Sequence, residues 1–112
     1  MQERRKYPRT HLIHYLMVFD QDSRKALGNL VDVTPEGIMM ITPTPLVPDR
    51  LYTLRMNLPD DFEHQGPLLF TARCIWRRVD INPDLYASGL KLEKISPDDQ
   101  QIITRLIEEY RD

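Results

Sequence analysis

The stretch that decides the fold is Ala26-Leu27-Gly28-Asn29-Leu30-Val31-Asp32-Val33-Thr34-Pro35-Glu36-Gly37-Ile38-Met39-Met40-Ile41-Thr42. Ala26 to Val33 reads as a strand, with Leu27, Val31 and Val33 on one parity and Asp32 and Thr34 on the other. A polar break follows, punctuated by Gly37, and Ile38 to Thr42 resumes as a short apolar strand. The parity places Val31 and Val33 in a core. A carboxylate and a hydroxyl, from Asp32 and Thr34, then project side by side from the outer face. Gly37 is expected to let the backbone turn or to let a ligand approach closely. A plain turn in which Asp32 and Thr34 bond their own backbone fits the same residues, so both readings stay open at this stage.

Working outward, the same period recurs on both sides. Upstream, Leu12 to Phe19 alternates, with Ile13, Tyr15, Met17 and Phe19 on one face and Leu12, His14, Leu16 and Val18 on the other; a turn is expected at Asp20-Gln21-Asp22-Ser23. Downstream, Pro43, Pro45 and Pro48 mark a loop or edge. Leu51 to Leu58 alternates with Tyr52, Leu54, Met56 and Leu58 together, and Pro59 to Pro67 is a polar loop. Leu68 to Val79 is a long strand with Leu68, Phe70, Ala72, Cys74 and Trp76 on one side. Asn82-Pro83-Asp84 is a turn, and Leu85 to Lys94 closes the series. The period then changes. Ser96 is a good N-cap, Pro97 suits the first helical position, and Asp98 and Asp99 complement the positive end of a helix. Ile102, Ile103, Leu106, Ile107 and Tyr110 recur at helical spacing. Six strands and then one helix predict a mainly β fold: a six-stranded antiparallel β-barrel over residues 12–94 and a C-terminal α-helix over 97–110, covering an open end of the sheet.

The first residues are different again. Arg4, Arg5, Lys6 and Arg9 crowd cations just ahead of the apolar run, with Pro8 between Arg5 and Arg9. Proline disfavours helical geometry in the residue before it, so residues 1–11 are read as an irregular, flexible arm. An arginine guanidinium is always charged and carries a planar fork of donors. That fork fits phosphate oxygens or the O6/N7 edge of guanine. Asp32 can accept the N1–H and N2–H of the same base, and Thr34 can serve a phosphate or a base. Together the two clusters meet the hydrogen-bonding needs of a guanine nucleotide.

Composition bounds the remaining choices. The 112 residues suit one domain with a real core, and the net charge of −2 argues against a general polyanion binder; a local basic patch on a near-neutral chain points to a small anionic ligand. The single cysteine, Cys74, allows no internal disulfide and fits a reducing, cytoplasmic setting. No apolar run approaches the ~20 residues of a membrane span. Cys74 lies on an apolar face and reads as a small core residue. His11 and His14, three apart on a strand, face opposite ways, and His64 sits in a polar loop, so no metal site is expected. No nucleophile elbow or phosphate loop is present, and an enzyme is not expected.

Taken together, Arg5-Lys6-Tyr7-Pro8-Arg9 and Asp32-Val33-Thr34-Pro35-Glu36-Gly37 make the sequence resemble a PilZ domain, the bacterial receptor module for cyclic di-GMP. That family carries an R-x-x-x-R motif near its start and a [D/N]-x-S-x-x-G motif some twenty-odd residues later. The late Ile75-Trp76 and the closing Tyr86-Ala87-Ser88-Gly89-Leu90-Lys91-Leu92 extend the resemblance over almost the whole chain. Thr34 replaces the usual serine, which keeps the hydroxyl but restricts χ1.

The resemblance implies a cyclic di-GMP receptor without cofactor. Its arm would fold over the ligand on the barrel exterior, with Arg5 and Arg9 on guanine edges and phosphates and Asp32, Thr34 and the backbone near Gly37 gripping the other side. Arg4 occupies the position that bears on whether one or two ligands are held. Trp76 is a candidate lining residue, although its parity with Phe70 and Cys74 points to the core. Ordering the arm would relay the signal to a downstream protein partner in motility, pilus assembly or exopolysaccharide and biofilm output. The alternative is a PilZ-like adaptor that binds its protein partner without nucleotide. Nucleic acid is not expected as a partner, because Tyr15, Phe19, Tyr52 and Phe70 sit mostly on apolar faces and not as an exposed stacking platform.

Overall fold

The structure is a computed structural model that describes residues 16–58 and 66–110. Six strands form within them: β1 (Met17–Asp20), β2 (Ala26–Thr34), β3 (Gly37–Thr42), β4 (Leu51–Met56), β5 (Leu68–Val79) and β6 (Tyr86–Lys94). They close into a barrel in the order β1-β2-β3-β6-β5-β4, every neighbouring pair antiparallel. The helix α1 (Pro97–Tyr110) follows. Arg4, Arg5 and Arg9, His11, His14, the expected strand residues 12–15 and the 59–65 part of the loop lie outside the described residues.

The alternation of the sequence explains the core. Val18, Leu30, Val33, Met40, Leu54, Met56, Leu68, Phe70, Cys74 and Leu90 turn into the barrel and are all buried. Burial also pushes the Cys74 thiol above its ordinary pKa. α1 presents Ile102, Ile103 and Leu106 to the same core and packs on β2 and β5. Its start is capped as expected: the Asp99 N–H donates to Ser96 Oγ at 3.1 Å, and the Gln100 N–H donates to the Ser96 carbonyl at 2.8 Å.

Bulges beside the cleft in β2 and β5 break the alternation of those strands, and both correct the sequence expectation. In β2, Leu30 pairs with Met40 and Asp32 with Met39, so Val31 is an extra residue in a β-bulge. Leu30 and Val33, three apart, both enter the core, and Val31 is half-buried outside it. Val31 is therefore not the core residue that parity predicts, although Asp32 and Thr34 do lie opposite Val33. In β5, Cys74 pairs with Leu90 and Trp76 with Gly89, so Ile75 is the extra residue. The bulge turns Trp76 out of the core in which its parity with Phe70 and Cys74 would place it; the indole is 36% exposed.

On the exterior, Arg73 and Glu93 join β5 to β6 by two parallel hydrogen bonds, Nε to Oε2 at 2.8 Å and Nη2 to Oε1 at 3.3 Å. The hydrogen bond from Arg73 holds the Glu93 carboxyl below its ordinary range. A lowered carboxyl pKa stabilises the fold above the unfolded-state value and loses that contribution as pH falls through the folded-state value. An NMR titration is expected to show Glu93 titrating below the ordinary carboxylate range, and Arg73→Gln to raise it toward that range. Ile103→Ala, which empties a fully buried site, is expected to lower stability by about 2–5 kcal/mol in urea unfolding, against about 0.5–2 kcal/mol for Ser96→Ala at the cap.

Candidate ligand-binding cleft

The β2–β3 hairpin closes through Pro35-Glu36, and Thr34 holds it shut. Its Oγ1 accepts from the Gly37 N–H at 3.2 Å and the Glu36 N–H at 3.3 Å, and its hydroxyl lies 3.3 Å from the Gly37 carbonyl. The Asp32 Oδ1 accepts from the Val33 N–H at 2.9 Å. The local turn bonding is thus present, and it fixes the Thr34 hydroxyl and Asp32 carboxylate on the outer face of the barrel.

Gly37 also makes room for a neighbouring strand. Its φ is not in the left-handed region; a methyl on it would run into the Leu90 carbonyl of β6. The glycine lets β3 and β6 meet closely beside the turn, and the Leu92 N–H donates to the Glu36 carbonyl at 2.8 Å to seal the contact.

Trp76 forms the opposite wall. Its indole lies flat on Gly89, where a methyl would collide with Nε1, Cε2 and Cζ2. The Arg78 guanidinium sits over the ring, 4.7 Å from its centroid. The indole N–H has no acceptor among the described residues.

Between these walls lies an open cleft of about 290 Å³, floored by the β3–β6 backbone and lined by Asp32, Thr34, Gly37, Met39, Trp76 and Lys91, among others. The structure therefore brings Asp32, Thr34, Gly37 and Trp76 into one place. The arm arginines Arg4, Arg5 and Arg9 lie outside the described residues.

Lys91 escapes a reading of the sequence alone. It is exposed on β6 and pairs with Gly37 across the sheet. Only the strand order reveals that neighbourhood, because 54 positions separate the two residues in the chain. The cleft thus offers an apolar wall, a carboxylate, a hydroxyl and an ammonium. Such a set can flank a planar ring, accept its N–H groups and face an anion. A second cavity, of about 330 Å³, lies at the other end of β2 and β3, among Lys25, Leu27, Pro45, Leu46, Arg50 and Tyr52. It contains none of the residues singled out in the sequence.

Gly89→Ala is expected to lift the indole off β6. Because Trp76 is the chain's only tryptophan, its emission reports this directly, and a red shift with an unchanged far-ultraviolet circular dichroism spectrum is the predicted result.

Comparison with known proteins agrees with the fold. No curated protein sequence matches the chain. Among solved structures, the chain is similar to the Bacillus subtilis inhibitor of motility MotI/DgrA, with TM-score 0.67 and 20% identity, over 96% of this chain and 51% of that one. It spans about half the length of that protein. It is also similar to the PilZ domain of YcgR from Escherichia coli with c-di-GMP, with TM-score 0.63 and 17% identity, over 96% of this chain and 92% of that one. The family model of the PilZ domain matches residues 3–109, so the chain belongs to the PilZ domain family.

Proposed function

We propose that the chain is a cyclic di-GMP receptor that binds the dinucleotide in the cleft between the β2–β3 hairpin and Trp76. The observation that carries this reading is the convergence of Asp32, Thr34, Gly37, Trp76 and Lys91 on one outward surface. Family membership supports it, as does the similar YcgR domain, whose structure holds c-di-GMP.

In this reading a guanine lies along the Trp76 wall. The Asp32 carboxylate accepts its N1–H and N2–H, a pairing that no neutral side chain reproduces with the same strength. Thr34 and the backbone near Gly37 border the base on the hairpin side. Lys91 and the arm residues Arg5 and Arg9 meet the phosphates and the O6/N7 edge, and Arg4 bears on whether a second ligand stacks on the first. Trp76 supplies an apolar edge and an N–H that has no acceptor among the described residues, and Arg78 over its ring adds a cation beside the base. The role is binding and not catalysis, and it places the chain in the cytoplasm, where it would pass the ligand's presence to a protein partner. Among the described residues no helix is long and apolar enough to cross a membrane.

Calorimetric titration of cyclic di-GMP into the chain, with GTP as a specificity control, tests the proposal. Micromolar or tighter binding is expected. Asp32→Ala and Arg5→Ala should each weaken it about ten- to hundredfold, which corresponds to ~1.5–3 kcal/mol for a charge-assisted hydrogen bond. Absence of binding by the unmodified chain would overturn the receptor reading and favour the nucleotide-independent adaptor.

A further inference from the structure

Among the described residues, the far half of β5 has a strand neighbour on only one side. β4 accompanies β5 from Met56, opposite Leu68, to Leu51, opposite Arg73, and the last links are Cys74 N–H to the Arg50 carbonyl at 3.0 Å and Asp49 N–H to the Cys74 carbonyl at 2.7 Å. Beyond Cys74 β6 is the one strand partner among the described residues, pairing from Trp76, opposite Gly89, to Val79, opposite Tyr86; the Asp80 N–H then donates to the Leu85 carbonyl at 2.9 Å. Arg78 and Asp80 thus turn their backbone groups toward β6. Those of Arg77 and Val79 turn away, and no backbone partner meets them there among the described residues. The same stretch carries exposed apolar side chains: Ile75 is 54% exposed, Val79 57% and Ile81 100%. An unpaired edge with apolar residues is a template for another strand.

The charges select the strand that fits. An antiparallel pairing of this edge with its own copy about a two-fold axis must put some residue opposite itself. Centred on Arg77 or on Arg78, it sets arginine against arginine, which is unfavourable. Centred on Val79, it sets valine against valine, Arg78 against the copy's Asp80, and Asp80 against the copy's Arg78. Arg77 then faces the copy's Ile81. Neither Arg78 nor Asp80 has an ion-pair partner within its own chain among the described residues; Arg78 rests over the Trp76 ring, 4.7 Å from its centroid, and exchanges that contact for the copy's carboxylate on pairing. Arg77 is held aside by its own chain, its Nη1 donating to the Leu46 carbonyl at 3.4 Å and its guanidinium lying 6.0 Å from the centre of the Tyr86 ring.

We propose that two copies of this chain associate through the free edge of β5, in antiparallel register about Val79, locked by reciprocal Arg78–Asp80 ion pairs. The pairing joins two barrels by a continuous sheet and covers Val79 and Ile81. The cleft lies over β2, β3, β6 and the Ile75-Trp76 bulge of β5, on the β6 side of that strand, whereas the pairing forms along its opposite edge. The proposal does not rest on the ligand reading. The shared edge is short compared with the ~800 Å² per partner of a stable interface, so dissociation is expected at about 10–500 µM.

Sedimentation velocity of the whole chain from about 10 µM to about 1 mM tests it. The unmodified chain should pass from monomer to dimer across that range. Asp80→Arg and Arg78→Asp should each remain monomeric, since each sets like charges against like. An equimolar mixture of the two variants should restore the dimer, because both facing pairs then join an arginine of one variant to an aspartate of the other. Circular dichroism confirms that both variants are folded. A monomer at every concentration would overturn the proposal. So would a dimer indifferent to the charge reversals, or a mixture that stays monomeric although both single variants do.

Discussion

Strict alternation along a barrel strand leaves no choice of face, and two extra residues remove that constraint where the cleft forms. Without Val31 as a bulge, Asp32 would follow Leu30 into the core and Val33 would face solvent. Without Ile75, Trp76 would follow Cys74 inward. A carboxylate buried there would be heavily penalised. An indole would overfill an interior already closed by Phe70, Met40 and Leu54. The β2 bulge returns Val33 to the core, and each bulge aims one chemically useful side chain outward.

The rest of the cleft follows from those two reversals. Once Trp76 faces out, it needs a flat neighbour on β6, and Gly89 supplies one. Once β2 has shifted its register, the hairpin ends where Thr34 can close it and where Gly37 lets the β6 backbone come near. Lys91 is then carried to the rim by its pairing with Gly37. The barrel holds Asp32, Thr34 and Gly37 on strands whose inner residues Val33, Ile38 and Met40 are buried, which fixes where these groups stand. The bulge in β5 also marks the point at which that strand parts from β4 and begins its free edge, so the cleft and the exposed hairpin share an origin.

Much of this is legible in the amino-acid sequence. The period of two over Leu51–Leu58 and Leu68–Cys74 and the helical period after Ser96 predict barrel and helix correctly, because those segments bury one face in the ordinary way. Asp32 and Thr34 are recognisable because carboxylate and hydroxyl flank a core valine. Parity fails at the bulges. A bulge is a property of a pair of strands, and Val31 and Ile75 look like any other strand residues when each strand is read alone. Parity therefore assigns Trp76 to the core, and it gives no sign of Lys91, whose closeness to Gly37 depends on β6 lying beside β3. Gly37 reads in the sequence as a residue that lets the backbone turn or a ligand come close; in the fold it also admits the backbone of a strand far away in sequence.

The most direct test is a ¹H–¹⁵N correlation spectrum of the chain recorded with increasing cyclic di-GMP. The Trp76 indole N–H and the amides of Asp32, Thr34, Gly37 and Lys91 should shift together and saturate together. The amides around the cavity of Lys25, Arg50 and Tyr52 should stay in place. Shifts concentrated at that other end of the barrel, or a spectrum that does not change, would contradict a binding site between the β2–β3 hairpin and Trp76.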